Sequence, residues 1–489
     1  MRAGGLPGRT PVTEARRREP RAAPGERRGA RPGAVIGGLL AADVAFAYQQ
    51  TAIVPAVHDV EQSLGASPEW AAWLVTVYLI VATIATPAMG RLADLHGRRR
   101  MLLTGLGVFT LGSVGAALAP DLVALLACRA VQGIGGSVYP LTLALARGLL
   151  PRDKAATAVA LSAGAFGLGT VAGFASGGVL AQDASWRWIF VVGAVLVAAG
   201  FAAVLKLVPA AGDRARGRYD WRGTIALAVA AVGLLTALTL VVPLGWASPV
   251  TAGLLAAAVV AAVAWGWLET RVPDPLIDVH ALLAPPVLRA NLATIGLGWA
   301  LFGSYLLVPR FGLVQPGSGH YGLGATSAEV GLIMLPLAAG QTAAGPLAGL
   351  AARRVGPRAV FAVGLVLIAA ALGWLSVIRG GVAPTAAALL ILGAGAGAGL
   401  QSSSSVATQG VSADVAAASS ALNSTVRRFA GGIGGQVATI LLASYPVITA
   451  GTPSFAAFTL AYLIAAGLCL LGAVLVTAAG RSREPQPAR

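Results

Sequence analysis

Charge is scarce in this chain: Asp, Glu, Lys and Arg make up 11% of its 489 residues, against 56% hydrophobic residues and a mean hydropathy of +0.77. A water-soluble domain of this length cannot easily present such a composition to solvent, so lipid is the natural surrounding. Cysteine is nearly absent. Cys128 and Cys469 both fall inside apolar runs, which excludes a disulfide scaffold or a thiolate metal site. The four histidines are scattered without metal-ligand spacing, so no metal and no cofactor is expected. No glycine-rich run ends in Lys-Ser or Lys-Thr, which argues against an ATP-driven pump. No cluster of His, Asp or Glu suggests a membrane-embedded enzyme, so no catalytic residue is assigned, and no loop is long enough for a receptor's soluble domain.

What is plentiful is arginine, and the formal charge is +16. Nine arginines lie in the first 31 residues, and most of the others fall in short gaps between apolar runs. That distribution suits topology signalling rather than a nucleic-acid groove, so no nucleic-acid partner is expected.

Apolar stretches of about 20 residues bounded by charge, Gly or Pro number fourteen. They run near 33–57, 70–89, 101–119, 122–146, 155–181, 187–208, 223–243, 250–268, 290–314, 329–350, 359–378, 385–408, 419–444 and 454–479. The fold class is therefore an all-α polytopic membrane protein. An even count places both termini on one side, and the basic amino-terminal tail assigns that side to the cytoplasm. Alternate loops then receive Arg91, Arg98, Arg99 and Arg100; Arg147, Arg152 and Lys154; Lys206, Arg214, Arg216, Arg218 and Arg222; Arg353, Arg354 and Arg358; and Arg481, Arg483 and Arg489. The opposite loops hold little beyond Arg187, Arg310 and Arg379. The gap near Asp414 is the weakest point of this assignment, since Arg427 and Arg428 fall in the thirteenth helix.

An internal echo accompanies the count. Pro87-Ala-Met-Gly90 followed by Asp94, Gly97 and Arg99 matches the spacing of Pro346-Leu-Ala-Gly349, Arg353, Gly356 and Arg358, 259 residues later. A duplicated six-helix bundle with two helices inserted between the copies gives this offset. The expected organisation is a disordered basic tail over 1–32, a six-helix bundle over 33–208, a linker with two inserted helices over 209–288, a second bundle over 289–480 and a short tail over 481–489.

Gly90-x-Leu-Ala-Asp94-x-x-Gly97-Arg98-Arg99 resembles the loop between helices 2 and 3 that marks the major facilitator superfamily. Leu125-x-x-x-Arg129-x-x-Gln132-Gly133-x-Gly135-Gly136 is similar to its helix 4 motif, and Gly169-x-x-x-Gly173-x-x-x-Gly177-Gly178 to its helix 5 antiporter motif. Trp186-Arg187-Trp188-Ile189-Phe190 resembles the start of helix 6 in exporters. Tyr219-Asp220-Trp221-Arg222-Gly223 and Pro273-Asp-Pro275-Leu276 flank the inserted pair much as in the fourteen-helix drug:proton antiporter family. The resemblance spans residues 33–480 and implies a major facilitator fold, with two six-helix halves and two extra helices. Two positions depart from the family pattern. Phe174 stands where the antiporter motif carries Pro, and Phe46 stands nine residues before Pro55, where relatives carry an aspartate. Asp43 lies one turn nearer the cytoplasm and is a candidate to take that role.

Asp43 is the one acidic residue well inside a predicted span. An ionised carboxylate in hydrocarbon is costly, so it must face a cavity, pair with a base or hold a proton. Gln50, seven residues on, shares its helical face. Arg129 reads as a coupling charge that tunes a carboxylate, or as an arginine reaching for the interface. Candidates to line a substrate cavity are Phe46, Gln50, Gln132, Tyr305, Gln341, Gln401 and Asn423, although amides also satisfy one another in helical bundles and aromatics also anchor at interfaces. Gly90, Asp94, Gly97, Arg98 and Arg99 suit a conformational latch at the inner face. Gly169, Gly173, Gly177 and Gly178, with Gly164, suit a sliding seam, or else ordinary small-residue packing. The segment Gln315–Thr326, with Gly317, Gly319, Gly322, Gly324 and His320, reads as a loop.

The functional expectation is a secondary transporter that exports a small amphipathic organic compound by alternating access, driven by protons moving inward. An uncoupled facilitator, or a carrier of a lipid or metabolite, is the alternative. Partners are the substrate, protons and membrane lipids, and a monomer is expected. High Ala, Gly and Arg use with only two lysines points to a GC-rich bacterial genome and hence to a plasma membrane.

Overall fold

The computed structural model describes residues 31–210, 218–273, 275–277, 279–316, 321–409, 413–445 and 452–478. The two expected tails, apart from residues 31–32, lie outside the described residues, as do His320, Gly317, Gly319, Arg214 and Arg216.

Among the described residues there are fourteen long helices. The first six are α1 (Pro32–Thr51), α2 (Pro68–His96), α3 (Arg98–Ala117), α4 (Leu122–Leu149), α5 (Arg152–Asp183) and α6 (Arg187–Leu207). The inserted pair is α7 (Trp221–Leu244) and α8 (Pro249–Glu269). The last six are α9 (Pro285–Leu313), α10 (Ser327–Val355), α11 (Pro357–Leu375), α12 (Val382–Ala407), α13 (Ala413–Ser444) and α14 (Phe455–Ala478). Twelve are apolar and long enough to cross a membrane on composition alone. The other two, α1 and α13, carry Asp43, Gln49 and Gln50, and Asn423, Arg427, Arg428 and Gln436. A helix that spans lipid with such groups must turn them toward protein.

The two sets of six pack alike. In the first half α1 packs on α5 and α6, α3 on α6 and α4, and α2 on α4; in the second half α9 packs on α13 and α14, α11 on α14 and α12, and α10 on α12. The halves meet along two equivalent seams, α2 with α13 and α10 with α5. The inserted α7 lies against α2 and α13 and so covers one seam from outside. Trp73 Nε1 donates to Thr239 Oγ1 at 2.7 Å, Thr239 donates to Gln436 Oε1 at 3.2 Å, and Gln436 Nε2 donates to Thr76 Oγ1 at 3.3 Å, which stitches α2, α7 and α13 together. In contrast, α8 packs on α7 and turns Val259, Val260, Val263 and Trp267 outward, an apolar face suited to acyl chains.

The sequence echo is an echo of backbone. Helix α2 ends at His96 and α3 begins at Arg98; α10 ends at Val355 and α11 begins at Pro357, at the same 259-residue offset. Gly97 (φ 102°) and Gly356 (φ 85°) occupy equivalent turns, each donating its N–H back to the carbonyl four residues earlier, on Ala93 and Ala352. Only glycine takes such a φ without strain.

The motifs flanking the inserted pair converge in space. Asp220 caps α7 by accepting from Gly223 N at 2.9 Å. Glu269, at the end of α8, accepts from Trp265 Nε1 at 3.0 Å and from Ile277 N at 3.2 Å. The connecting segment is therefore held to the hairpin it leaves.

Candidate functional site

Mid-depth in the first half, polar side chains from several helices converge. Asp43 on α1 is fully buried, and its Oδ1 accepts from Thr142 Oγ1 on α4 at 2.6 Å. Ser162 on α5 faces the carboxyl, and the buried Oδ2 has no hydrogen-bond partner among the described residues. A carboxyl in that setting lacks both a basic partner and bulk water.

Arg129, also fully buried, is committed elsewhere. Its Nε donates to Leu74 O at 2.8 Å, its Nη1 donates to Gln132 Oε1 at 2.7 Å, and its guanidinium lies 4.7 Å from the centre of the Tyr78 ring. Gln132 Nε2 donates onward to Ser113 Oγ at 2.9 Å, and Gln49 Nε2 reaches the same oxygen at 2.5 Å. The network thus joins α1, α2, α3 and α4. Asp43 and Arg129 stand in separate clusters, with no ion pair between them. Removing the guanidinium with Arg129→Leu strands the Gln132 amide oxygen and takes a second donor from the Leu74 carbonyl, at a cost of about 1–3 kcal/mol for the stranded acceptor. The expected result is a clearly lowered melting temperature in detergent; an unchanged melting curve contradicts the structural role.

The third cluster crosses the seam. Helix α4 is broken by a 3-10 turn over Ile134–Ser137, where Gly133, Gly135 and Gly136 abut Val81, Phe109 and Ala82 so closely that a Cβ on any of them lands within 2.6 Å of its neighbour. Pro140, four residues after Gly136, has no N–H to offer that glycine's carbonyl. Arg428 on α13 uses it instead: Nη2 donates to Gly136 O at 3.1 Å, while Nη1 donates to Ala82 O at 3.3 Å and to Thr86 Oγ1. One arginine of the second half is therefore seated in carbonyls and a hydroxyl of the first.

Toward the end away from the arginine-rich loops, Ser327 Oγ donates to Asp59 Oδ2 at 2.6 Å, Arg310 pairs with Glu61, and Ala328 N donates to Gln182 Oε1 at 3.2 Å. All three join the halves. At the arginine-rich end Asp94 pairs with Arg98 at 3.3 Å, both side chains 46% exposed, and Arg99 Nη2 donates to Leu205 O at 2.6 Å. These bonds stay within the first half. Gly90 has open space at its Cβ position.

The helix 5 glycines divide between two partners. A Cβ at Gly169, Gly173 or Gly177 meets Val44 O, Thr51 Oγ1 or Ala52 O at 2.4, 2.2 and 1.9 Å, so these three press on the first helix of their own half and the residues just after it. Gly178 lies 100° further round the helix and meets Ser327 O of α10 at 2.0 Å. Gly164 meets nothing within 4 Å. Phe174, in place of proline, is buried edge-on against Tyr305 of α9 with ring centres 5.6 Å apart.

The remaining cavity candidates are dispersed. Phe46 is buried between Phe109 and Phe166, and Tyr305 between Phe174 and Phe302. Asn423 is buried and donates to Asn291 Oδ1 at 3.0 Å and to Thr294 Oγ1 at 2.8 Å, which clamps α13 to α9. Gln50 and Gln341 are half-buried, and Gln401 is exposed. Nothing in the sequence pattern singles out Gln49, Ser113, Thr142 or Ser162, and Arg428 stands out there for topology alone. The one local signal was Pro140 four residues after Gly136, which marks a carbonyl in need of a donor.

Similar proteins bear on this arrangement. Residues 39–319 match the family profile described as Major Facilitator Superfamily. The chain is 30% identical over 399 residues to "Multidrug resistance protein Stp" of Mycobacterium tuberculosis (strain CDC 1551 / Oshkosh), covering 80% of this chain and 72% of that protein. It is 27% identical over 402 residues to "Tetracenomycin C resistance and export protein" of Streptomyces glaucescens, covering 81% and 73%. Among solved structures, the peptide transporter POT in complex with sulfate superposes with a TM-score of 0.67 at 15% identity, covering 92% of this chain and 94% of that one. That likeness is one of fold. With fourteen membrane-spanning helices, paired seams between two matching halves and this extent of sequence match, the chain belongs to the major facilitator superfamily, in its multidrug-resistance-like branch.

Proposed function

We propose that this protein is a secondary transporter that exports a small organic compound in exchange for protons, with the arginine-rich loops in the cytoplasm of a bacterial cell and Asp43 as the proton site. The observation that carries the coupling is the seating of Asp43: a lone carboxyl, fully buried where α1, α4 and α5 meet, with one oxygen unpartnered. Export of an organic compound is supported by similarity to the resistance and export proteins named above.

With that orientation, the bonds from Asp59, Glu61 and Gln182 to Ser327, Arg310 and Ala328 seal the external end, and the arrangement is one of access from the cytosol. Asp94, Arg98 and Arg99, bonded within their own half, are then free to engage α10 and α11 when the inner side closes. Coupling requires a proton to bind one access state more tightly than the other. Tyr139 stands within electrostatic reach of both Asp43 on the first half and Arg427 on the second, which places it between the two groups.

The test is efflux from proteoliposomes loaded with a panel of small aromatic compounds, with a pH gradient imposed and then collapsed by nigericin. Proton-driven export requires accumulation against a gradient that disappears on collapse. Movement that is indifferent to nigericin identifies an uncoupled facilitator instead.

A further inference from the structure

From the charge arrangement at mid-depth, we infer that the exported compound is an aromatic anion whose carboxylate or ionised phenol binds Arg427. This rests on the transport reading above and names its substrate class.

Arg427 and Arg428 are neighbours on α13, yet their surroundings differ. Arg428 is satisfied by Thr86, Ala82 O and Gly136 O. Arg427 has one long contact, from Nη2 to Ser424 Oγ at 3.4 Å, and its buried Nη1 has no hydrogen-bond partner. Its backbone is fixed, because Gly298 of α9 packs on the Arg427 carbonyl closely enough that a Cβ there lands 2.0 Å from the oxygen. A half-buried guanidinium whose buried Nη1 is idle, next to a second positive charge, calls for an anion.

Among the described residues none pairs with it. Asp43 is the one carboxyl well inside these helices among the described residues, and it accepts from Thr142 and faces Ser162 rather than Arg427. The groups that act electrostatically on Arg427 are Arg428 and Tyr139, and Tyr139 in turn reaches Asp43 and Arg147. The counter-ion must therefore arrive with the ligand.

Its second property follows from the rings. Tyr139 lies 5.1 Å from Phe166, and Phe166 lies 6.0 Å from Phe46. Tyr139 and Phe166 are both half-buried, and Tyr139 is close enough to Arg427 to act on it electrostatically, so an aromatic face adjoins the cation. A planar guanidinium grips a carboxylate with two parallel hydrogen bonds, whereas a cationic drug meets two like charges there.

The experiment uses the full chain in nanodiscs and in proteoliposomes, with naphthalene-1-acetate, its methyl ester and 1-naphthylmethylamine as probes. The acid is expected to bind at least about tenfold more tightly than the ester or the amine. Arg427→Gln is expected to abolish that preference while leaving ester binding within about twofold, and Arg427→Lys to restore part of it. Ester binding also reports that the Gln variant is folded. Preference for the amine or the ester, with efflux still driven by the pH gradient, overturns the anion assignment and leaves export standing. Failure of all three probes to bind or move overturns both readings.

Discussion

Asp43→Asn is expected to lower pH-gradient-driven efflux by about 100-fold, while exchange of substrate down its own gradient persists. Asparagine matches the carboxyl in shape, and its amide oxygen still accepts from Thr142, which now donates at 2.6 Å. The fold is therefore kept and the proton site is lost. A gradient acts on the two access states only through a group whose proton affinity differs between them, and a ligand with no difference shifts nothing. The check is paired: accumulation in proteoliposomes with and without a pH gradient, beside counterflow of labelled substrate at equal pH. Full accumulation by the Asn variant places the proton elsewhere. Equal loss of accumulation and counterflow makes Asp43 a structural or substrate-binding group instead.

Gly178→Val is expected to break the external seal. Its Cβ lands 2.0 Å from Ser327 O and 2.9 Å from Ala328 Cα, both backbone atoms that cannot swing aside. Overpacking of this kind costs about 1–3 kcal/mol, which is about 5- to 150-fold in the balance of two conformations. Cysteines placed at Gln182 and Ala328, whose groups now hydrogen-bond at 3.2 Å, are expected to cross-link at least about tenfold more slowly in the Val background. Transport falls with them, because a carrier that cannot close one side cannot alternate. Gly164→Val is the control. Nothing lies within 4 Å of its Cβ position, so cross-linking and transport should remain within about twofold of the parent. Equal effects from both substitutions contradict a specific contact between α5 and α10.

The helix count, the duplication and the family were legible because each is written at the scale of a whole segment. Lipid forces about 20 apolar residues into every crossing, and the turns at Gly97 and Gly356 repeat their backbone as well as their spacing. The clusters were less legible. On α1, periodicity picks out Gln50 as sharing a face with Asp43, yet it is Gln49 that reaches Ser113. A helix packed on several sides buries more than one face, and a single stripe does not say which neighbour each face meets. Likewise the run of small residues on α5 reads as one surface in sequence. In space, Gly177 and Gly178 point to partners in different halves.

Composition and segment pattern by themselves determined that this chain lives in lipid, crosses it fourteen times, repeats a six-helix unit and has a single deep acid. These follow from solvation, which acts on each segment independently of the rest. Only the tertiary structure decided that Asp43 and Arg129 belong to different networks, that Arg428 closes the seam and that Arg427 keeps a buried Nη1 with no partner among the described residues. Those facts depend on which helices lie side by side, and at hydrogen-bond range one residue's turn about a helix is enough to exchange one partner for another.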